Sequence, residues 1–222
     1  VYKRQRGHFD PKDISDDFSE DLHETFLEML DGQKRYFLKK DIAQFDRYKY
    51  ALDDEFRALQ TSFFDLVYTR YLERRNETKS FYLEILAKPF DFNKKEEINV
   101  DYENQQYPST LRSKVEKWRK QLKLSTLNIL HSKLEEEEKL AAKDESYVPK
   151  TFEVLEKEAR EITKENMENY FSLMEDVREE DWFGSYLNAF VTQFDPHSVY
   201  FAPVDKDLSL IHISEPTRRP QI

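Results

Sequence analysis

Apolar residues recur every three or four positions along most of the chain, and this spacing is typical of amphipathic helices. The apolar positions of the first such stretch are Ile14, Phe18, Leu22, Phe26, Met29 and Leu30. Ser15 or Asp16 can cap the start of this helix, and Gly32 is expected to end it with a positive φ. After an apolar connector, a second and shorter helix is predicted to open at Asp41.

A long helix is predicted next, from about Asp53 to Leu86, and Pro89 ends it because proline disfavours helix at the preceding residue. Its apolar stripe consists of Phe56, Leu59, Phe63, Leu66 and Val67. A kink or interruption is expected around Asn76–Thr78. The segment from Pro89 to Pro108 is polar, so we predict a long loop there with one short extended piece.

Three more helices follow from the same spacing. Ser109 or Thr110 is expected to cap the first of them and Thr151 the second, while the last runs from about Glu180 to Phe194. Their predicted buried positions are, in turn, Leu111, Val115, Trp118, Leu122, Ile129 and Leu130; Leu155, Ala159, Ile162, Tyr170, Met174 and Val177; and Phe183, Leu187, Phe190 and Phe194. The fold class predicted from these patterns is all-α, an irregular multi-helix bundle with one long polar loop.

Composition supports this reading, since 3 Gly are too few for a sheet with many tight turns, whereas 17 Phe and 13 Tyr supply a core. The formal net charge is -10, which disfavours nucleic acid as a partner. The pairs Arg74-Arg75 and Lys94-Lys95 sit among acidic residues and are interpreted as solvated helix faces.

The chain contains no Cys, which excludes disulfides and thiolate chemistry, and it has no apolar run of the ~20 residues that a membrane-spanning helix needs. No signal peptide is visible. The two ends look foreign to the rest. Residues 208–222 lose the helical register and resemble translated sequencing-adapter read-through, as do residues 1–6, so we expect both to be non-native.

No catalytic constellation is found in the sequence, and we predict no catalytic residues, no metal ligands and no cofactor. The motifs for a nucleophile elbow, a Ser-x-x-Lys pair and a phosphate-binding loop are all absent. The histidines lie far apart in sequence and pair with no ligand-type partner at metal-binding spacing. The acidic clusters 53–55 and 135–138 are expected to face solvent, with weak divalent-ion binding as a minor alternative.

Three segments resemble a known family, the tail-specific (carboxyl-terminal processing) proteases, in order and spacing. These segments are His8–Pro11; Leu30–Leu38, which is followed by Asp41–Phe45; and Leu187–Phe190, which runs into Asp195–Phe201. The last contains Asp-Pro-His-Ser-Val-Tyr, similar to the junction that leads into the PDZ module in that family. The resemblance spans about Gly7 to Asp207.

The resemblance implies the N-terminal helical domain of a serine endopeptidase of the bacterial envelope, placed in the periplasm. Its domain boundaries are then 7–194 for the helical domain and 195–207 for a junction toward a PDZ domain. The family's Ser–Lys dyad would lie downstream, so the chain itself is expected to be inactive. Implied partners are protein substrates with accessible C-terminal tails and an adaptor protein; which residues bind substrate stays unknown. The alternative is a free-standing helical protein-interaction domain.

Overall fold

The structure, a computed structural model, describes residues 13–202 and is helical throughout the segments with regular structure. Seven α-helices and one 3-10 helix, Asp46–Tyr48, occur within these residues. The α-helices are α1 (Asp16–Asp31), α2 (Lys39–Phe45), α3 (Leu52–Ala58), α4 (Ser62–Leu86), α5 (Leu111–Lys143), α6 (Phe152–Asp176) and α7 (Glu179–Thr192). No strand forms within residues 13–202, so the all-α prediction is confirmed.

The described residues divide into two compact units. The first unit comprises residues 13–26, Lys49–Gln60 and residues 178–202, and the second comprises Leu27–Tyr48 and Thr61–Val177. The predicted boundaries at 7, 194 and 207 stay predictions. The predicted foreign ends 1–6 and 208–222, and the His8–Pro11 segment, lie outside the described residues.

Aromatic rings fill the core of the first unit. Phe56 stacks on Phe190 with ring centroids 4.0 Å apart, and Phe26 meets Tyr186 edge-on at 4.8 Å. A buried hydrogen bond between Ser19 Oγ and the Asp53 carboxylate, 3.0 Å, joins α1 to the start of α3. Stacked and edge-on rings contribute beyond their buried area, so this small unit gains a core from few residues.

The second unit is built on α4, α5 and α6. Trp118 is 1% exposed and meets the ring of Tyr36 edge-on at 5.5 Å, while Tyr36 also meets Tyr71. Between α5 and α6, the hydroxyls of Thr126 and Thr163 share a buried hydrogen bond of 2.9 Å. The predicted burial of Trp118, which fixes the register of α5, is therefore confirmed.

The predicted long helix from Asp53 to Leu86 is wrong, because it is two helices. Leu59 ends α3 in the left-handed region, with φ 55°, and the N–H of Gln60 donates to the Glu55 carbonyl at 2.8 Å. This is the hydrogen-bond pattern of a helix C-terminus closed by a left-handed residue. Leu59 is 92% exposed, so its predicted place on the apolar stripe is wrong as well.

The expected interruption at Asn76–Thr78 does not occur, since α4 runs through it without a break. Thr78 is fully buried, and its hydroxyl donates to the carbonyl of Arg74 one turn earlier, at 3.0 Å. This bond satisfies the buried hydroxyl within its own helix.

Gly32 does not adopt the positive φ that the sequence suggested; the left-handed residue after α1 is Lys34, with φ 49°. Gly32 is needed there for a different reason. A Cβ atom at this position would lie 2.9 Å from the backbone carbonyl oxygen of Glu28, too close without a backbone shift.

Several predicted exposures also differ from the structure. Met29 and Leu111 belong to the predicted buried stripes, but they are 52% and 48% exposed. Glu137 was expected in solvent, yet it is buried and accepts hydrogen bonds from the Tyr147 hydroxyl and the Lys150 N–H. Because these two donors follow the turn after α5, Glu137 ties that turn back to its own helix.

Candidate functional site

A polar connection, residues 87–110, joins α4 to α5 and contributes most of the site. The predicted loop is observed here without a strand. Basic side chains of α5 hold its first half by donating to main-chain carbonyls. Lys120 Nζ lies 2.9 Å from the carbonyl oxygen of Glu97, and Lys123 Nζ lies 2.5 Å from that of Asp91.

The second half of the connection is held in the same way from another segment. Lys34 Nζ donates to the carbonyls of Glu103 and Gln105 at 2.6 and 2.9 Å. Lys117 of α5 donates to the Gln105 side chain and to the Lys34 carbonyl, both at 2.7 Å. Burial lowers the pKa of Lys117 to about 8. The connection thus has a fixed path although it has no regular structure of its own.

A cleft of about 460 Å³ opens between the end of α4, the connection and the start of α5, and a smaller hollow of about 250 Å³ adjoins it. We call the two together the basic cleft. Its apolar lining consists of Phe81, Ile85, Pro89, Phe90 and Val115 in the larger part, and Phe92, Ile98, Leu124 and Leu127 in the smaller part. Apolar walls with a few charged groups are the usual make-up of a binding pocket.

The charged lining of the basic cleft is unusual for so acidic a chain. Its basic residues are Lys88, Lys94, Lys95, Arg119, Lys120 and Lys123, and its acidic residues are Glu84, Asp91, Glu96 and Glu97. Six basic and four acidic groups leave an excess of two positive charges, whereas the whole chain carries -10. The cleft is therefore a local reversal of the sign of the surface charge.

Glu96 lies in the part that both hollows share and collects three of these cations. It accepts hydrogen bonds from Arg119 and from Lys123, the latter at 2.7 Å, and Lys94 lies 3.1 Å away. The hydrogen bonds from Arg119 and then Lys123 hold the pKa of the Glu96 carboxyl well below its usual range. Glu96 is therefore ionised and fixes Arg119 and Lys123 in the floor of the cleft.

Two of the sequence interpretations need correction at this site. Lys94-Lys95 is not on a helix face but in the connection, where both residues line the cleft. Arg74-Arg75 is not solvated either, since the two residues are 6% and 8% exposed.

Arg74 belongs to a buried ion cluster that joins α2, α4 and α5. Its guanidinium makes two hydrogen bonds to the Asp41 carboxylate, at 2.7 and 2.8 Å, and Arg70 adds a third. Burial would raise the pKa of the Asp41 carboxyl, but the bonds from Arg74, the Leu38 N–H and Arg70 keep it below the ordinary value. Paired in this way, the buried charges are fully compensated.

Lys114 of α5 extends the cluster. Its ammonium is completely buried and donates to the carbonyl of Arg74 at 2.8 Å and to Glu77 at 3.2 Å. Burial lowers the pKa of Lys114 to about 8. Because no part of this side chain reaches solvent, its role is structural.

The Leu30–Leu38 segment forms a corner at the end of α1. Asp31 is buried and accepts the N–H groups of Arg35, Tyr36 and Phe37 at 2.8 to 2.9 Å. Burial raises the pKa of the Asp31 carboxyl to about 6. The Arg35 guanidinium lies 4.6 Å from the centre of the Trp118 ring, so the corner packs on α5 through a cation–π contact.

The Asp195–Phe201 segment follows α7 within the first unit and begins with an ordered turn. Asp195 accepts the N–H of His197 at 2.9 Å, and the N–H of Tyr200 donates to the Asn188 side chain at 2.7 Å. Asn188 lies in α7, within the Leu187–Phe190 segment, so two parts of the same resemblance contact each other directly.

Within residues 13–202, no group of three or more His, Asp or Glu side chains is arranged to hold a metal ion. None of the described helices is long and apolar enough to cross a membrane. The sequence named no binding residues, and it therefore missed the basic cleft. A signal existed in Arg119, Lys120 and Lys123, which share one turn of α5, but the loop residues opposite them could not be identified from spacing.

The described residues thus form an all-α region with a fixed polar connection and with ordered turns at two of the three resemblance segments. The sequence model of one family, described as tail specific protease N-terminal domain, matches residues 1–204. The chain belongs to this family, which confirms the resemblance drawn from its sequence.

A curated relative shows the same likeness. The tail-specific protease of Haemophilus influenzae is 25% identical over 199 residues, which cover 89% of this chain. The match covers 26% of that protein, so the chain spans about a quarter of the length of this relative.

Proposed function

We propose that this chain is the N-terminal helical region of a tail-specific serine endopeptidase, and that it serves as a scaffold that handles substrate and does not itself cut peptide bonds. The observation that carries the proposal is the family match over residues 1–204. The named relative, of which the match covers about a quarter, supports a larger protease as the parent protein.

The contacts of the described residues support this division of labour. Their buried charges are paired in structural clusters such as Asp41 with Arg74, and Lys114 has no access to solvent. A general base must reach the proton that it removes, so these groups do not fit catalysis. The serine and lysine of the family's dyad are assigned to the rest of the parent protein.

The proposed setting is the periplasm or envelope of a bacterium, by the same kinship. The proposed partners are protein substrates with accessible C-terminal tails, together with an adaptor protein. A helical unit with an open cleft is suited to hold such a substrate while another part of the protein cleaves it.

The test compares the purified 222-residue chain with the longer protein encoded by the same gene. A reporter protein with an unstructured apolar C-terminal tail, and a matched reporter with a charged tail, serve as substrates. We expect the longer protein to degrade the first reporter faster and the 222-residue chain to cleave neither. A gene that encodes no protease beyond this region would instead favour a free-standing helical interaction domain.

A further inference from the structure

The basic cleft has the features of a binding surface. Structural contacts explain some of its charged residues, but they do not explain all of them. Lys88 and Lys95 are exposed on its lining and form no ion pair with any other residue of the described chain. The remaining cations are engaged by Glu96 or by carbonyls of the connection. Lys88 and Lys95 are therefore the cations of the lining that no other group of the described residues engages.

The shape of the cleft favours an extended ligand. The larger and smaller hollows adjoin, since Lys94, Glu96 and Lys123 line both. Aromatic and aliphatic side chains line both, from Phe81 and Ile85 at one side to Leu124 and Leu127 at the other. A chain with several apolar side chains can occupy both hollows, because burying each one in an apolar site is favourable.

The charge of the cleft selects among such chains. The protein carries a formal charge of -10, so an acidic segment is repelled by most of its surface. At the cleft the sign is reversed, and unpaired ammonium groups are available to carboxylates. Complementary charge of this kind fixes where a ligand binds and speeds its encounter more than it adds affinity.

We infer that the basic cleft is a docking site for an extended polypeptide segment that carries both apolar and acidic side chains. The inference rests on the substrate-handling role proposed above and specifies the chemistry of the segment. Apolar side chains enter the two hollows, and carboxylates of the same segment face Lys88 and Lys95 at the rim.

The test uses the complete 222-residue chain and three labelled, unstructured peptides of about a dozen residues, each about 40 Å long when extended at ~3.3 Å per residue. The first alternates Leu and Phe with Glu, the second replaces Glu by Lys, and the third replaces Leu and Phe by Ser. Fluorescence anisotropy should show binding of the first and about tenfold weaker binding, or none, of the other two. Equal binding of all three would overturn the inference, as would preference for a single-stranded nucleic acid of equal charge.

A matched pair of variants locates the binding. Ile85→Glu places a carboxylate inside the cleft, whereas Leu83→Glu makes the same change two residues away on α4, at a side chain that is 42% exposed and does not line the cleft. We expect about a tenfold loss of affinity for Ile85→Glu and none for Leu83→Glu. Equal affinities for the two variants would contradict the assigned location.

Two variants at exposed lysines keep the test valid even if Ile85→Glu fails to fold. Lys88→Glu and Lys95→Glu change exposed residues and should leave the helical circular dichroism unchanged while weakening the acidic peptide and strengthening the basic one. Lys143→Glu, an exposed change at the end of α5 outside the cleft, should do neither. If the longer protein cleaves its reporter but none of these variants changes peptide binding, the docking inference fails and the protease assignment stands. If the longer protein cleaves neither reporter, the protease assignment itself fails.

Discussion

Trp118 is the largest of the completely buried side chains in the described residues, and both its N–H group and its aromatic ring have partners. Its indole N–H donates to the Arg35 carbonyl at 2.8 Å, and its ring meets Tyr36 and the Arg35 guanidinium. We predict that Trp118→Ala lowers the free energy of unfolding by about 3–5 kcal/mol, because it leaves a cavity and an unpaired carbonyl.

Urea unfolding checks this prediction. Leu173→Ala, at a residue that is 65% exposed, is the control and should change stability by no more than about 0.5 kcal/mol. A Trp118→Ala variant as stable as this control would mean that the register of α5 is wrong.

Asp31 gives a pH dependence of definite sign. Its pKa of about 6 in the folded chain lies above the ordinary 3.8, so the native state binds this proton more tightly than the unfolded state. The contribution of Asp31 is therefore fully present below pH ~4 and is lost as the pH rises through about 6. As the pH rises from 4 to 7, the free energy of unfolding of wild type should fall relative to that of Asp31→Asn. The slope of this fall should be at most about 1.4 kcal/mol per pH unit.

Unfolding of both proteins in urea at several pH values between 4 and 7 measures this difference. Subtracting the variant removes the titrations that the two proteins share. If the stability of wild type relative to Asp31→Asn instead increased as the pH rises, the sign would be opposite. The three N–H donors would then lower the pKa of Asp31 more than burial raises it.

At the scale of elements, the two described glycines should respond in opposite directions to the same change. Gly184 lies inside α7 with open space where a Cβ would be, so Gly184→Ala should raise stability by about 1 kcal/mol. Gly32→Ala should lower stability by about 1–3 kcal/mol, because the new methyl group meets the Glu28 carbonyl. Thermal melts of the two variants side by side serve as each other's control; a shift of the same sign for both would contradict the prediction.

Most helices could be predicted from the sequence because their apolar residues recur every three or four positions, a pattern that is visible within a single short segment. Phe18, Leu22 and Phe26 are buried on α1 as expected, and Thr110 caps α5 through the N–H of Ser113. The break at Leu59 could not be predicted, since leucine rarely adopts positive φ and no Gly or Pro marks the end of α3. The local sequence gives no sign of this backbone strain when contacts elsewhere in the structure offset it.

Burial of charge was equally hidden from the sequence. The acidic residues around Arg74 in the sequence favour a solvated face, but its partner Asp41 lies 33 residues away. The basic cleft has the same origin, since its walls come from α4, the connection and α5. Pairings between distant residues leave no periodic pattern, so neither the ion cluster nor the cleft could be derived from spacing.

At the scale of the whole molecule, the ion cluster joins three helices that are far apart in the chain. Removing Asp41 takes away the carboxylate that receives two hydrogen bonds from the buried Arg74 guanidinium, so we predict that Asp41→Ala costs about 3–5 kcal/mol. Asp54→Ala is the control, because its carboxylate is 80% exposed and pairs with Arg57 at 3.0 Å. Denaturant unfolding should show a change of at most about 1 kcal/mol for this surface pair. Similar losses for both variants would argue against the cluster as a stabilising unit.

The main-chain contacts of the polar connection have a consequence for how this region evolves. Lys34, Lys120 and Lys123 donate to backbone carbonyls, which every amino acid carries, so they specify the path of the connection without specifying its residues. We therefore expect residues 87–110 to tolerate substitution where a residue contributes only its carbonyl, and to tolerate it less at Glu96 and Gln105, whose side chains are bonded to α5.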